Sequence, residues 1–150
     1  MQYENEMKLE FVSRSANESF ARVAVAAFLS QLNPTLEEVA DVKTALSEAV
    51  TNCIVHGYGD RKDGKDLIVV ECKVSGRELY VSVIDQGCGI ENVEQAMEPL
   101  FTTKPDSERC GMGFAFMEAF MDEISVTSKV GEGTRVDMKK IIGRGNKFDQ

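Results

Sequence analysis

Three short groups of residues in this 150-residue chain carry side chains suited to binding or catalysis. Glu48 and Asn52 stand four apart in a stretch of helical periodicity, so both project from one face, among Ala45, Ala49 and Cys53. A carboxylate so placed can act as general base toward a hydroxyl, and an amide oxygen is a hard ligand of the kind Mg²⁺ takes. An ordinary solvated helix face carries the same pair. The second group is Asp85 with Gly87 and Gly89, directly after a β-branched run. The glycines let the backbone turn sharply and approach a ligand, and the carboxylate can accept a hydrogen bond from an exocyclic amine such as that of adenine. A plain β-turn is the other reading. The third is Gly111, Met112 and Gly113 at the start of a helix, where free amides and the helix dipole favour phosphate. Glycine ahead of a helix is, however, common.

The elements that must hold these groups follow from periodicity. Residues 7–13 alternate as a strand, and Ser15 with Glu18 fits a capping box opening a helix whose apolar face is Phe20, Val23, Ala24, Ala27, Phe28 and Leu32. That helix ends before Asn33 and Pro34. Thr35 and Glu38 repeat the capping pattern and start a longer helix to about His56, with Gly57 and Gly59 as its stop. Residues 67–74 and 79–84 read as a hairpin, as do 124–129 and 134–142 around the turn at 131–133. Between the hairpins lie the glycine turn, an irregular stretch to Cys110, and a helix over about 113–122. Helices kept apart from hairpins predict an α+β two-layer sandwich, with helices on one face of a mixed, mostly antiparallel sheet. The chain length predicts one domain, with only 143–150 as a loose tail.

Composition narrows the setting. At 43% hydrophobic and 28% charged residues the chain has the make-up of a soluble globular protein. No apolar run approaches the roughly 18 residues of a membrane span, and the first residues lack a signal-peptide pattern, so a cytoplasmic protein is expected. A formal charge of −8 disfavours nucleic-acid phosphates and makes a basic protein surface the more natural partner. The four cysteines, Cys53, Cys72, Cys88 and Cys110, form no CxxC pair and read as reduced, mostly buried thiols. His56, one turn beyond Asn52, suits a helix C-terminus, and Met112, Met117 and Met121 suit core packing.

Taken in order, SEAVTN at 47–52, DQGCG at 85–89 and GMGF at 111–114 resemble the N box and the two glycine boxes of the GHKL ATP-binding fold, shared by gyrase and histidine kinases. The resemblance runs from about residue 8 to residue 142. More narrowly, SEAVTNCIVHGYG, PLFTTKP and RCGMGFAFMEAFMDE are similar to the anti-sigma F factors of endospore-forming bacteria. The resemblance implies that Glu48 is the base, that Asn52 binds Mg²⁺, and that Asp85 recognises the adenine of ATP or ADP together with Thr134. It implies that Gly87, Gly89, Gly111, Met112 and Gly113 shape the pocket, under a lid over 99–109 that offers Thr102, Thr103, Lys104 and Arg109 as possible phosphate contacts. Arg22 matches a family phrase on the first helix, as a partner contact or as a solvated residue.

The function so implied is an anti-sigma factor that inhibits sporulation sigma factor F and, as a homodimer, phosphorylates a serine of an anti-anti-sigma factor with ATP. Length is expected to exclude the dimerising helix pair of sensor kinases and the second domain of gyrase-like ATPases. A sigma-binding module without kinase activity and a bare ATPase remain alternatives.

Overall fold

A computed structural model of the chain describes residues 2–98 and 113–143. Thr102, Thr103, Lys104, Arg109, Cys110, Gly111 and Met112 lie outside the described residues, as does most of the expected tail. In chain order come strand β1 (Asn5–Val12), helix α1 (Ser15–Leu29), a 3₁₀ turn (Ser30–Leu32), helix α2 (Leu36–Asn52) and a π-helical turn (Cys53–Gly57). Then follow β2 (Leu67–Ser75), β3 (Glu78–Asp85), the short α3 (Val93–Ala96), α4 (Gly113–Phe120), β4 (Glu123–Lys129) and β5 (Gly133–Ile141).

The described strands form one sheet in the order β1-β2-β3-β5-β4, and its mostly antiparallel character extends to every pairing. Period-2 alternation decides which side chains face the helices. Ile68, Val70, Cys72 and Val74 of β2 and Leu79, Val81 and Val83 of β3 are buried, and Asp85 continues the β3 series onto the same face. A carboxylate thus ends a row of core residues at the edge of the apolar layer.

The N-terminus of α2 forms the expected capping box. Glu38 N–H donates to Thr35 Oγ1 at 3.1 Å, and Thr35 N–H donates to Glu38 Oε1 at 2.9 Å. The second Glu38 oxygen accepts the Gly143 N–H at 2.7 Å, tying the segment just after β5 to this cap.

Helix α1 departs from the sequence reading twice. Its N-cap is Arg14, with no side-chain cap, because Ser15 is already helical. Its buried residues are Ala21, Val25 and Leu29, while Phe20 and Val23 are 58% and 62% exposed. The run from Phe20 to Leu29 is apolar nearly all round, so its own period does not single out a face. Contact with α2 and the sheet selects the one with the small Ala21. The irregular stretch after Gly89 contains α3, capped by Asn92, whose side chain accepts the Gln95 N–H at 3.0 Å. Met117 and Met121 are buried as expected.

Candidate functional site

Helix α2 does not run on to His56 as an α-helix. From Cys53 to Gly57 it widens into a π-turn, closed by Tyr58 N–H donating to Cys53 O at 2.8 Å. Such turns are frequent at functional sites because the extra residue re-aims the side chains that follow. Tyr58, itself buried, locks the turn in place. Its hydroxyl donates to Leu67 O at 2.6 Å and accepts Gln86 N–H at 2.7 Å, joining the turn to the start of β2 and the loop after β3.

The π-turn seats Asp85. The carboxylate is 5% exposed and accepts the Gly87 N–H on Oδ1 at 2.8 Å. Burial pushes the Asp85 carboxyl above its ordinary range, and hydrogen bonds from Gly87 N–H, the Cys53 thiol and Thr134 N–H pull it partly back. Cys53 in turn is pushed well up, first by burial and then by the neighbouring Asp85 charge, so it stays a thiol and donates. Gly57 is what allows this closeness. A Cβ there would stand 3.0 Å from three atoms of the Asp85 carboxyl group. At Gly87 a Cβ would fall 2.1 Å from the Gly57 carbonyl oxygen, and that same oxygen accepts the Cys88 N–H at 2.9 Å. On its other side the loop is held by Gly131 N–H donating to Cys88 O at 2.8 Å.

Beside Asp85 opens a cavity of about 790 Å³, within the usual range for a cofactor-sized ligand. Asn52, Asp85, Gly89, Gly113 and Thr134 all line it, so the structure brings together these five of the residues singled out in the sequence. Gly87 is buried behind the loop. Asn52 and the start of α4 are in close contact: a Cβ on Gly113 would lie 2.9 Å from Asn52 Nδ2. The remaining wall carries apolar Ala49, Ile90, Phe114 and Val136 beside polar His56, Glu91, Asn92 and Gln95.

Glu48 is not brought to the described lining. It sits one turn before Asn52 on α2 and is 9% exposed. Arg22 stands apart from the cavity, on α1, with its guanidinium 3.8 Å from Glu18 and half-exposed at the mouth of a separate hollow of about 310 Å³ beside Thr51, Ile54 and Val55. His56 and Cys88 line the main cavity, and the Cys88 thiol donates to His56 O at 3.2 Å. Cys88 is exposed, unlike the buried Cys53 and Cys72, because the tight turn points it outward. Sequence reasoning missed the part played by Cys53 and Gly57, which it read as helix interior and helix stop, and by Asn92 and Gln95 of the unanticipated α3. The only signal for Gly57 was its position five residues after an amide in a chain where Asp85 needed a neighbour without a side chain.

The family model described as a histidine kinase-like ATPase domain matches residues 11–140. The anti-sigma F factor of Clostridium novyi (strain NT) is 60% identical over 136 residues, covering 91% of this chain and 94% of the relative. The chain belongs to the anti-sigma F factor family. The anti-sigma F factor of Clostridium kluyveri agrees, at 58% identity over 140 residues covering 93% of this chain and 96% of its own length. Among solved structures, the RsbU and RsbW domains of a Mycobacterium tuberculosis protein superpose with a TM-score of 0.65 at 20% identity, over 92% of this chain and 32% of that one. The catalytic domain of the histidine kinase ThkA gives 0.55 at 16% identity, over 91% and 96%. At such identities the two structures speak for the fold alone, an α/β sandwich consistent with the GHKL type that the family model also indicates.

Proposed function

We propose that the chain is an ATP-dependent anti-sigma factor that binds sigma factor F, holds it inactive, and as a serine protein kinase transfers the γ-phosphoryl group of ATP to a serine of an anti-anti-sigma factor. The observation that carries this reading is a buried, hydrogen-bonded carboxylate, Asp85, lining one cavity together with Asn52, which packs against the first residue of α4. A carboxyl group beside apolar cavity residues offers an acceptor that suits the adenine amine, and Thr134 stands next to it in the sheet register. The first-turn amides of α4, which have no acceptor within the helix, suit phosphate oxygens.

The donor set also fits Mg²⁺. Among the described residues no cluster of three or more His, Cys, Asp or Glu side chains could hold a metal alone. Mg²⁺ commonly takes one or two protein oxygens together with phosphates and water, and the Asn52 amide oxygen on the cavity wall supplies such a ligand. When bound, the ion offsets phosphate charge during transfer. Glu48, one helical turn away, accepts the proton of the attacking serine hydroxyl as its oxygen bonds to the γ-phosphorus and the bond to the β-phosphate oxygen breaks, leaving ADP.

One observation favours the second reading, a sigma-binding module that holds ATP without transferring it: Glu48 is buried behind the described lining. Exposed Phe20 and Val23 on α1, beside the edge strand β1, support a homodimer through the first strand and helix. The family match over 11–140 supports a single domain, and the lack of a helix long and apolar enough to cross a membrane among the described residues accords with work in the cytoplasm.

Glu48→Gln tests the enzyme. Phosphate incorporation into the anti-anti-sigma factor should fall about 10²-fold or more, with ATP affinity and sigma capture retained. Transfer at the parent rate removes Glu48 as base. No transfer by the parent chain in the presence of ATP and antagonist leaves the binding module, and phosphate release without antagonist identifies an ATPase.

A further inference from the structure

Ser128 has no part in the reading above, yet its hydroxyl sits where three polar groups meet. It lies near the end of β4, in register with Thr134 of β5. Its Oγ accepts the Ile90 N–H at 2.7 Å, donates to the Gly133 carbonyl oxygen at 3.0 Å, and lies 2.8 Å from Thr134 Oγ1. A serine hydroxyl has one proton and two lone pairs. The Gly133 carbonyl can only accept, so it takes the proton, and the Ile90 N–H can only donate, so it fills one lone pair. Either hydroxyl could donate across the 2.8 Å Thr134 contact, but all three contacts are hydrogen bonds at once only when Thr134 gives its own proton to the second lone pair. In that fully bonded arrangement Thr134 turns lone pairs, and no proton, toward the cavity that it lines.

We propose that Ser128 is a positioning residue for base recognition: by holding the Thr134 proton it makes Asp85 and Thr134 an all-acceptor edge that selects a purine with an exocyclic amine where guanine has a carbonyl. This rests on the reading of the cavity as a nucleotide site. The adenine amine donates to Asp85, and a water donating both to Thr134 and to the adjacent ring nitrogen completes the edge. Guanine sets its carbonyl oxygen against two acceptors, and a buried acceptor left unpaired costs more than one good bond returns. Freed of Ser128, the Thr134 hydroxyl can rotate its proton toward that carbonyl. Ser128 also anchors Ile90 on the cavity wall, so the test must separate orientation from anchoring.

Calorimetry with ADP and with GDP on the parent, Ser128→Ala, Ser128→Thr, Thr134→Val and the Ser128→Ala/Thr134→Val double variant does so. Ser128→Ala should weaken ADP about 3- to 10-fold and reduce the preference for ADP over GDP by about 10-fold, with Ser128→Thr restoring both. In the Thr134→Val background, Ser128→Ala should change neither affinity by more than about twofold, because the group it orients is gone. Equal loss of ADP affinity in both backgrounds means that Ser128 only anchors Ile90, and overturns the proposal. So does an unchanged ADP/GDP preference. If Ser128→Ala unfolds, Ser128→Cys, close in shape but a weak hydrogen-bonding group, carries the same comparison. A parent that binds neither nucleotide overturns the nucleotide-site reading along with this one, whereas a parent that binds ADP with Ser128→Ala indistinguishable from it overturns this one alone.

Discussion

Gly113→Ala offers a sharp test of the proposed site, because it separates fold stability from ligand geometry. Gly113 is the first residue of α4, and its φ is not in the left-handed region that only glycine tolerates well. An alanine there gains about 0.4–1 kcal/mol from the reduced freedom of the unfolded chain. Its methyl carbon, however, would stand 2.9 Å from Asn52 Nδ2 and 3.1 Å from Oδ1. Ordinary contact between such atoms is about 3.5 Å, so the amide must retreat by roughly 0.5 Å. The Asn52 side chain is an end group that can move, and the cost to the fold is correspondingly small. Mg²⁺ is less forgiving, since it demands oxygens at about 2.0–2.1 Å in near-octahedral array. The melting temperature should therefore stay level or rise by up to about 3 °C. Affinity for Mg-ADP should drop about tenfold, with ADP in chelator affected much less. Calorimetry and thermal unfolding on one preparation measure all three. Mg-ADP affinity within twofold of the parent would refute the use of the Asn52 amide at its present position, and a large fall in melting temperature would refute the claim that Asn52 can yield cheaply. Gly113→Ala should also add nothing to the loss caused by Asn52→Ala.

Other outcomes follow from single residues. Asp85→Asn should weaken ADP binding by about 10- to 100-fold, because the amide offers one acceptor in place of a charged pair, and calorimetry that finds less than a twofold change sinks the assignment. Since burial raises the Asp85 carboxyl, the native state binds its proton more tightly than the unfolded chain does, so this residue withdraws stability as pH rises from its ordinary value through the raised one. Asp85→Asn should accordingly be at least as stable as the parent at pH 7 by chemical denaturation, and ADP affinity of the parent should fall as acid protonates the carboxylate. Arg22→Ala should reduce capture of sigma factor F in a pull-down by about fivefold or more with ADP affinity unchanged, and undiminished capture returns Arg22 to a solvated surface role. Glu38→Ala removes both the capping box and the Gly143 anchor, and should lower the melting temperature by about 3–6 °C without touching nucleotide affinity.

The two hairpins and α2 were legible because their signals are local: period-2 runs around glycine turns, and a reciprocal Thr35 and Glu38 cap. The burial of Asp85 was not read from the sequence but could have been, since it continues the Leu79, Val81, Val83 alternation. What escaped depends on tertiary contact. The face of α1 is chosen by its neighbours, and the π-turn is stabilised by Tyr58 reaching Leu67 and Gln86 across the fold. Helix α3 is too short for a periodic signal. The Ser128 and Thr134 pair could have been found, as two hydroxyl residues flanking a glycine turn come opposite one another once the hairpin closes. Of the proposed site, Asn52, Asp85, Gly89, Gly113 and Thr134 were named from the sequence and line the cavity, whereas Glu48, placed by helical spacing on the same face as Asn52, is not part of the described lining.

The sheet register has a practical consequence for handling the protein. Asp85 pairs with Thr134 at one end of β3 and Glu78 pairs with Ile141 at the other, so the cavity and the exit of the last strand are separated by the length of an eight-residue strand, roughly 23 Å. Gly143 is pinned at that far end by Glu38, and the preceding Ile142 by Arg77. A surface anchor or fluorophore joined by a short linker just after Gly143 is thus held away from the mouth of the cavity, so the immobilised chain should bind nucleotide with the affinity it has in free solution.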